Sequence, residues 1–146
     1  MDHEKKAEEL FLKGYNCAQA VAASFADVLG MPEDVLLKSS CAFGGGFARQ
    51  RYVCGALSGA GMVLGLLYTD PSPDGKKSNY QLVRGFSDSF KDEFGSIICS
   101  ELLSGASHDD PPTPSERTNE FYKKRSCLDC VKFAARLLDE KIAEEK

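Results

Sequence analysis

The sequence predicts an all-α fold, a single-domain bundle of six to seven helices around a central glycine-rich apolar helix. Apolar residues between positions 7 and 29 recur at the spacing of about 3.6 residues that is typical of a helix. No segment shows the alternation of apolar and polar residues that marks a half-buried strand. The 146 residues are enough to bury one core and no linker divides them, so we expect one helical domain over residues 1–146.

The N-terminal part of the chain predicts three helices. The first two meet at residues 14–16, because Gly14 is a typical helix-ending residue and Asn16 is a typical N-cap. Gly30 ends the second helix. The third opens with Pro32 at its first helical position, where the fixed φ of proline suits a helix, and two acidic residues follow it at the positive end of the helix dipole.

The most apolar segment, CGALSGAGMVLGLLY from Cys54 to Tyr68, predicts the central helix. It is shorter than the roughly 20 residues that a membrane-spanning helix needs. Its glycines would let a neighbouring helix approach closely. Because the segment is apolar on nearly all sides, we expect residual apolar surface to pair with a second copy of the chain, as a homodimer.

The second half of the chain predicts two further long helices. Residues 80–95 carry a leucine and three phenylalanines at four-residue steps and end in glycine, which indicates a helix with an aromatic stripe in the core. The other is the amphipathic C-terminal helix, residues 126–146. Ser126 and Asp129 have capping-box spacing at its start.

Shorter elements are expected between these two helices. Ser96 is predicted to cap a short helix over IICSELL. Residues 107–117, rich in proline and aspartate, predict the longest loop and the segment that we expect to be the most mobile. A helix from about Glu116 to Arg125 is expected to follow.

Charge and composition narrow the class of protein. The formal net charge of -4 gives no electrostatic reason to expect nucleic acid or an anionic membrane as a partner. The N-terminal residues MDHEKKAEELF are charged where a secretory signal is apolar, so we expect a cytoplasmic protein. Because disulfides are rare in that reducing compartment, the six cysteines indicate metal binding or thiol chemistry rather than structural disulfides.

Four cysteines stand at predicted helix starts: Cys17, Cys54, Cys99 and Cys127. The unpaired N–H groups and the helix dipole at such a position stabilise a thiolate, which is the form that attacks disulfides or binds metals. Arg49 and Arg51 are expected to lower the pKa of a neighbouring thiol further. The alternative is that each cysteine is a small buried apolar residue.

Other motifs carry weaker signals. The stretch GGGFARQR lacks the lysine and the hydroxyl group of a P-loop and follows no strand, so a tight loop is favoured over a phosphate site. CLDC, with Cys127 and Cys130, has the C-x-x-C spacing of dithiol motifs and metal hooks, but no second hook and no histidine follows it. His3 and His108 lie near the terminus and in a loop, where we expect solvated side chains.

Four stretches of the chain together resemble the C_GCAxxG_C_C family of redox-active proteins: GYNCAQAV, FGGGFARQRYVCGALSGAGMVLG, FKDEFGSIICSELL and CLDCVKFAARLL. The resemblance spans the chain from about Lys5 to Leu138. It assigns the family's four cysteines to Cys17, Cys54, Cys99 and Cys127, and it leaves Cys41 and Cys130 as additional cysteines.

The resemblance also implies what such a protein works with. Members are small, mostly helical proteins encoded near transporter or oxidoreductase genes, which implies a redox partner or a transporter-associated oxidoreductase. Export signals on some members imply a bound prosthetic group such as an iron–sulfur cluster. The charged N-terminal residues of this chain do not resemble such a signal.

Three functions of different classes follow from these observations. In the first, the four cysteines act in a thiol-based or iron–sulfur oxidoreductase component, cycling between thiolate and disulfide or holding a cluster. In the second they bind zinc or an iron–sulfur centre for structure alone, and in the third they are reduced core residues of a helical interaction protein. Four thiolates suit both zinc and iron–sulfur clusters, so the metal stays open. The sequence favours the first function, and we expect the sulfurs of Cys17, Cys54 and Cys99 to share a pocket that Cys127 joins.

Overall fold

A computed structural model describes residues 2–103, 105–124 and 126–145, except for the side chains of residues 120, 123 and 124. Over these ranges the chain is helical and contains no strand, although an isolated antiparallel bridge joins Val53 and Ile98. Six of the helices have eight residues or more. The predicted all-α fold is therefore confirmed.

Most connections between the helices are short, and the longest ones precede α5 and α8. In chain order they are α1 (His3–Leu12), α2 (Cys17–Ser24), α3 (Ala26–Leu29), α4 (Glu33–Ser40), α5 (Gly55–Tyr68), α6 (Gly75–Phe94), α7 (Cys99–Leu102), α8 (Asn119–Lys124) and α9 (Cys127–Glu144). A 3₁₀ turn over Cys41–Phe43 continues α4. Among the described helices, none combines the length and the apolar composition that a membrane span requires.

The predicted break between the first two helices is confirmed. Gly14 has φ of +111° just after α1, a conformation that glycine adopts at little cost. The Asn16 side chain accepts from the Gln19 N–H (2.9 Å), and the Gln19 side chain accepts from the Asn16 N–H (3.1 Å). This reciprocal capping box makes Cys17 the first residue of α2.

Helix α5 lies at the centre of the bundle, packed against α2, α6 and α9. Its Val63 and Leu64 side chains are fully buried. A Cβ atom on Gly59 would lie 2.6 Å from the Ala18 carbonyl oxygen, so glycine is needed for α2 and α5 to pack this closely. Gly61, by contrast, faces open space. The glycine-rich sequence of the central helix thus has the predicted packing reason.

The phenylalanine stripe of α6 packs into the core, as its spacing predicts. Phe86 and Phe90 are fully buried, and Phe94 packs edge-on against Phe133 of α9 with ring centroids 5.3 Å apart. Helix α6 begins before its predicted start. The residues KKSN, whose composition suggests a loop, are helical. The polar Asn79 side chain in this stretch donates to the Thr69 hydroxyl (2.8 Å).

Two predicted helix starts need correction. Pro32 occupies the N-cap position of α4 rather than its first turn. Ser96 does not cap α7: its hydroxyl accepts from the N–H of Ile98 (3.0 Å), and the helix begins only at Cys99. The Ser96 hydroxyl therefore forms a local serine turn instead of the predicted N-cap.

The last two helices also differ from prediction. Helix α8 begins at Asn119 rather than Glu116, because the Thr118 hydroxyl accepts from the N–H of Phe121 (3.1 Å) in the manner of an N-cap. Its predicted end, Arg125, lies outside the described residues. At the start of α9 no capping box forms, since the Ser126 hydroxyl donates to the Leu102 carbonyl (3.4 Å) instead.

The prediction of a solvated His3 is wrong. His3 is buried, and its two ring nitrogens lie 2.7 Å from Asp139 and 3.0 Å from Asp27. Its ring stacks on Phe25 with centroids 4.2 Å apart. The cause is tertiary packing, since α1 lies along α9 and brings its first residue against that helix. His108 is exposed, as expected.

Helix α1 runs antiparallel to α2 and α9, which gives the bundle two polar ends. At the start of α1, His3 meets carboxylates that follow α2 and lie far along α9. We call this the histidine end. At the opposite end, which we call the cysteine end, α1 finishes where α2, α5 and α9 begin.

Candidate dithiol site

A cavity of about 460 Å³ lies at the cysteine end. Its wall consists of the first residues of α2, α5 and α9, the loop of residues 44–51, and a strap that we define as residues 105–118. All six cysteines contribute to this wall, and of these Cys41 is exposed. The cavity brings the four predicted site residues together with Cys130: Cys17, Cys54, Cys99 and Cys127.

The four predicted cysteines do stand at helix starts. Cys17, Cys99 and Cys127 are the first residues of α2, α7 and α9, and Cys54 is the N-cap residue of α5. Backbone N–H groups that lack an intrahelical acceptor therefore surround the cavity, which favours negative charge on groups inside it.

Backbone pairing places Cys54 and Cys99 side by side. The Cys54 N–H donates to the Ile97 carbonyl (2.8 Å), and the Cys99 N–H donates to the Tyr52 carbonyl (2.6 Å). These bonds flank the isolated bridge at Val53 and join the segment before α5 to the segment before α7. The two helix starts are thus held together although they are distant in sequence.

The thiols lie in two neighbouring pairs, Cys17 with Cys127 and Cys54 with Cys130. No disulfide occurs among the described residues. Cys130 is the site residue that the sequence left out, and it is almost fully buried. The C-x-x-C spacing is the signal that could have found it, because residues three apart share one face of a helix.

The pKa of Cys54 lies below the ordinary value of a thiol. The largest cause is the hydrogen bond that the Cys130 thiol donates to the Cys54 sulfur. Burial opposes this effect, whereas the N–H groups of Ala56 and Leu57 in the first turn of α5 add to it. Cys54 is therefore a cavity thiol that its surroundings favour as a thiolate.

The partners of this thiolate have the opposite property. The pKa of Cys130 is strongly raised, first because its proton is held in the hydrogen bond to Cys54 and second because it is buried. The pKa of Cys17 is raised well above the ordinary value by its hydrogen bond to Cys127 and by burial. The cavity thus places Cys54, whose pKa is lowered, beside Cys130, whose pKa is raised.

Arg51 contacts the Cys99 thiol in the cavity. It is buried, and its Nε donates to Asp110 (2.9 Å) while its Nη1 lies 3.7 Å from the Cys99 sulfur. Burial raises the pKa of Cys99, and Arg51 opposes this without cancelling it. Arg51 thus acts on the pKa of its neighbouring thiol in the predicted direction, but burial outweighs it at Cys99, and the thiol with the lowered pKa is Cys54.

The loop of residues 44–51 has an uncommon backbone conformation. Its non-glycine residues with positive φ are Phe47, Ala48, Arg49 and Arg51. Left-handed conformations cost roughly 1–2 kcal/mol for each such residue, and they persist where the surrounding structure enforces them, often at functional sites. Hydrogen bonds of 2.7 to 2.9 Å across the turn hold it, from the N–H groups of residues 48, 51 and 52. The predicted tight loop is confirmed.

The loop fastens the strap to the rest of the cavity wall. Arg49 donates to the Pro111 carbonyl and to the Ser115 hydroxyl, each at 2.7 Å. Arg51 holds Asp110, and the guanidinium keeps the pKa of that carboxyl below its ordinary value. The left-handed turn therefore directs two arginines at the same neighbouring segment.

Arg117 fastens the other end of the strap. It donates to the carbonyl oxygens of Phe11 (2.8 Å) and Tyr15 (2.9 Å), at the break between α1 and α2. Its guanidinium also lies 4.4 Å from the centre of the Phe11 ring, a cation–π contact. The orphan carbonyl groups at the end of α1 thus bind the segment that forms one wall of the cavity.

Four cysteine sulfurs are a donor set for zinc and for iron–sulfur clusters. Within the described ranges, however, no group of three or more histidine, cysteine, aspartate or glutamate side chains is arranged to hold a metal ion. As placed, the thiols fit hydrogen-bonded pairs better than a metal centre. The metal site predicted from Cys17, Cys54, Cys99 and Cys127 stays a prediction.

Comparison with known proteins gives one family. Its sequence profile, described as "Putative redox-active protein (C_GCAxxG_C_C)", matches residues 15–141, which include every helix start around the cavity. No curated protein and no solved structure matches the chain. Since the profile covers most of the sequence, the chain belongs to the C_GCAxxG_C_C family, as its sequence resemblance implies.

Proposed function

We propose that the protein is a dithiol–disulfide exchange protein in which Cys54 attacks a disulfide and Cys130 completes the exchange. The observation that carries the proposal is the buried pair of Cys54 and Cys130 at the start of α5, in which the Cys130 thiol lowers the pKa of Cys54. It favours the thiolate at Cys54 and keeps a protonated thiol next to it. Exchange requires a thiolate for attack and a second thiol within reach.

In the first step the Cys54 thiolate attacks one sulfur of a disulfide R–S–S–R. A bond forms between the Cys54 sulfur and that atom, and the sulfur–sulfur bond of the substrate breaks. The second half of the substrate leaves as a thiolate and takes up a proton from water. The product of this step is a mixed disulfide on Cys54.

In the second step Cys130 attacks the Cys54 sulfur. The negative charge that raised the pKa of Cys130 is absent once Cys54 is in a mixed disulfide, so Cys130 loses its proton more readily. Its proton passes to the departing thiolate, and a disulfide forms between the two cysteines. Over both steps Cys54 and Cys130 lose two electrons and the proton of Cys130, and the substrate gains these two electrons, that proton and one proton from water as two thiols.

The remaining thiols extend this chemistry inside the same cavity. Cys17 and Cys127 form a second pair, and Cys127 stands one helical turn before Cys130 on α9. Exchange between the pairs would move the disulfide from Cys54 and Cys130 to Cys17 and Cys127 with no change in the number of electrons. The cavity can thus hold up to two disulfides.

Oxidation of the reduced protein with hydroxyethyl disulfide, followed by mass spectrometry of the alkylated peptides, tests the proposal. We expect the first disulfide between Cys54 and Cys130, with two small thiols released per protein. Cys54→Ser should abolish the reaction, and Cys130→Ser should trap the mixed disulfide on Cys54. Arg84→Gln, at an exposed residue of α6 outside the cavity wall, is the control and should react at the wild-type rate. A first disulfide elsewhere, or an unchanged rate for Cys54→Ser, would contradict the proposal.

A further inference from the structure

We propose that the cavity binds small disulfides that carry a carboxylate, with the anion held beside Arg51 while the disulfide meets Cys54. The inference rests on the proposed function of Cys54 and names the class of substrate. It comes from the size of the cavity, the charge of its wall and an unused hydrogen-bond donor on Arg51.

The size of the cavity favours a small molecule. Its volume of about 460 Å³ lies within the range of roughly 300 to 1,000 Å³ that is typical of small-molecule sites. The Cys54 sulfur belongs to a residue that is only 6% exposed, so a disulfide on the surface of a folded protein could not readily meet it. A molecule that enters the cavity can.

The charge of the wall favours an anion. Three arginines line the cavity: Arg49, Arg51 and Arg117. In the part of the chain that the structure describes, no aspartate or glutamate is among the lining residues. The whole chain has a net charge of -4, so this wall is a positive region in an acidic protein and would concentrate anionic molecules.

Arg51 has a hydrogen-bond donor to spare. Its Nε is bound to Asp110 and its Nη1 lies beside Cys99, whereas its buried Nη2 has no hydrogen-bond partner in the described residues. A buried N–H group without an acceptor is unfavourable, and buried polar groups in proteins are nearly always paired. A carboxylate beside Arg51 would supply the missing acceptor through a charge-assisted hydrogen bond from Nη2.

The backbone connects this donor to the reactive thiol. Arg51 and Cys54 lie on one short segment before α5, and that segment is fixed by hydrogen bonds to Ile97 and Cys99. Arg51 itself has positive φ, a conformation that the surrounding hydrogen bonds enforce. The anion and the disulfide of the substrate would therefore be bound by residues whose relative positions are set by the fold.

The exchange itself is that of the proposed function. The substrate disulfide gains two electrons and two protons and leaves as two carboxylate-bearing thiols. Cys54 and Cys130 lose the two electrons and become a disulfide, and the two protons come from the Cys130 thiol and from water. The carboxylate takes no part in the bond changes and serves only to bind and orient the substrate.

A matched series of disulfides tests the inference: dithiodipropionate, its dimethyl ester and cystamine. They place carboxylate, neutral and cationic groups on the same short-chain disulfide. Each rate is divided by the rate with the uncharged thiol 2-mercaptoethanol, which corrects for intrinsic reactivity. At low salt we expect the normalised rate of dithiodipropionate to exceed those of the other two disulfides at least about tenfold, which corresponds to one charged hydrogen bond. At high salt this preference should disappear.

Variants locate the effect. Arg51→Gln should abolish the preference for the carboxylate, while Arg84→Gln, at an exposed arginine of α6 outside the cavity wall, should retain it. Because Arg51 is buried, its replacement could also disturb folding, so a second measurement uses the unmodified protein. Methylthiopropionate has the carboxylate but no disulfide, and it should slow the alkylation of Cys54, whereas its methyl ester should not.

The outcomes separate the two proposals. Equal normalised rates for the three disulfides, or no protection by methylthiopropionate, would overturn the carboxylate site and leave the exchange function standing. Faster reduction of the disulfides of insulin than of dithiodipropionate would overturn the small-molecule substrate class. Absence of reaction with every disulfide would overturn both the exchange function and the inference that rests on it.

Discussion

The two ends of the helical bundle bury polar groups in opposite ways. At the histidine end, both ring nitrogens of His3 have carboxylate partners, and the ring stacks on Phe25. At the cysteine end, Arg51 has positive φ and its buried Nη2 has no partner among the described residues. The first arrangement is what structural polar groups in proteins show, and the second is what binding sites show.

The same difference holds for the charges around each group. Asp27 and Asp139 are more than one-third exposed, so they stay hydrated while they bind His3. At the cysteine end the thiols lie against one another instead, Cys17 beside Cys127 and Cys54 beside Cys130. Polar groups at the histidine end thus join helices, whereas the thiols at the cysteine end line a cavity.

Loss of His3 should remove the polar contacts of the histidine end and destabilise the protein, while the reactivity of the cysteine end stays unchanged. We expect His3→Ala to lower the free energy of unfolding by about 2 to 4 kcal/mol, because it removes a buried ring and two hydrogen bonds. Denaturant unfolding measures the loss, and the rate of Cys54 alkylation in the folded protein should not change. His108→Ala, at an exposed histidine, is the control and should cost less than about 1 kcal/mol. An equal cost for both variants would contradict the structural role of His3.

Disruption of the close contact between α2 and α5 should have the next largest effect on stability. Gly59→Ala should destabilise the protein by about 1 to 3 kcal/mol, because the new methyl group would meet the Ala18 carbonyl. Gly61→Ala, on the same helix but facing open space, should stabilise it by up to about 1 kcal/mol through helix propensity. Thermal or denaturant unfolding compares the two, and effects of the same sign would show that the close packing is not needed.

Replacement of Cys130 sharpens the account of the cysteine end. Cys130→Ala removes the donor to Cys54, so the pKa of Cys54 should rise and its alkylation should need a higher pH. Cys130→Ser keeps a donor and cannot form a disulfide, so Cys54 should stay reactive at the lower pH. In the wild type, alkylation of Cys54 should reach its midpoint below the roughly 8.5 of an ordinary thiol. Identical pH profiles for both variants would show that the hydrogen bond does not set this pKa.

Local features of the fold could be predicted from the sequence. The Asn16 cap and the Gly14 break involve residues close together in the chain, and the four-residue steps of the phenylalanines report one helix face. The need for glycine in α5 was also visible, because glycines in an apolar helix weaken it unless another helix approaches. The helix start at Cys17 was correctly predicted from its local cap, whereas α9 begins at Cys127 as predicted but without the capping box.

Features that depend on distant residues could not be predicted. His3 is buried by a partner 136 positions away, and no local pattern shows that contact. Cys130 enters the site because α9 lies against the start of α5, although its C-x-x-C spacing already placed it beside Cys127. The left-handed turn through Phe47 and Arg49 has non-glycine residues where glycine would be expected, so composition alone could not indicate it.

Metal analysis with thiol counting, after anaerobic purification, tests the central claim most directly. It decides whether the cysteine end holds exchangeable thiol pairs or a metal centre. We predict less than stoichiometric iron or zinc and no visible absorption band of an iron–sulfur cluster. Thiol counting should give six thiols in the unfolded reduced protein, and two of them should be lost on oxidation by one equivalent of disulfide. Stoichiometric iron or zinc that must be removed before Cys54 reacts would contradict the account.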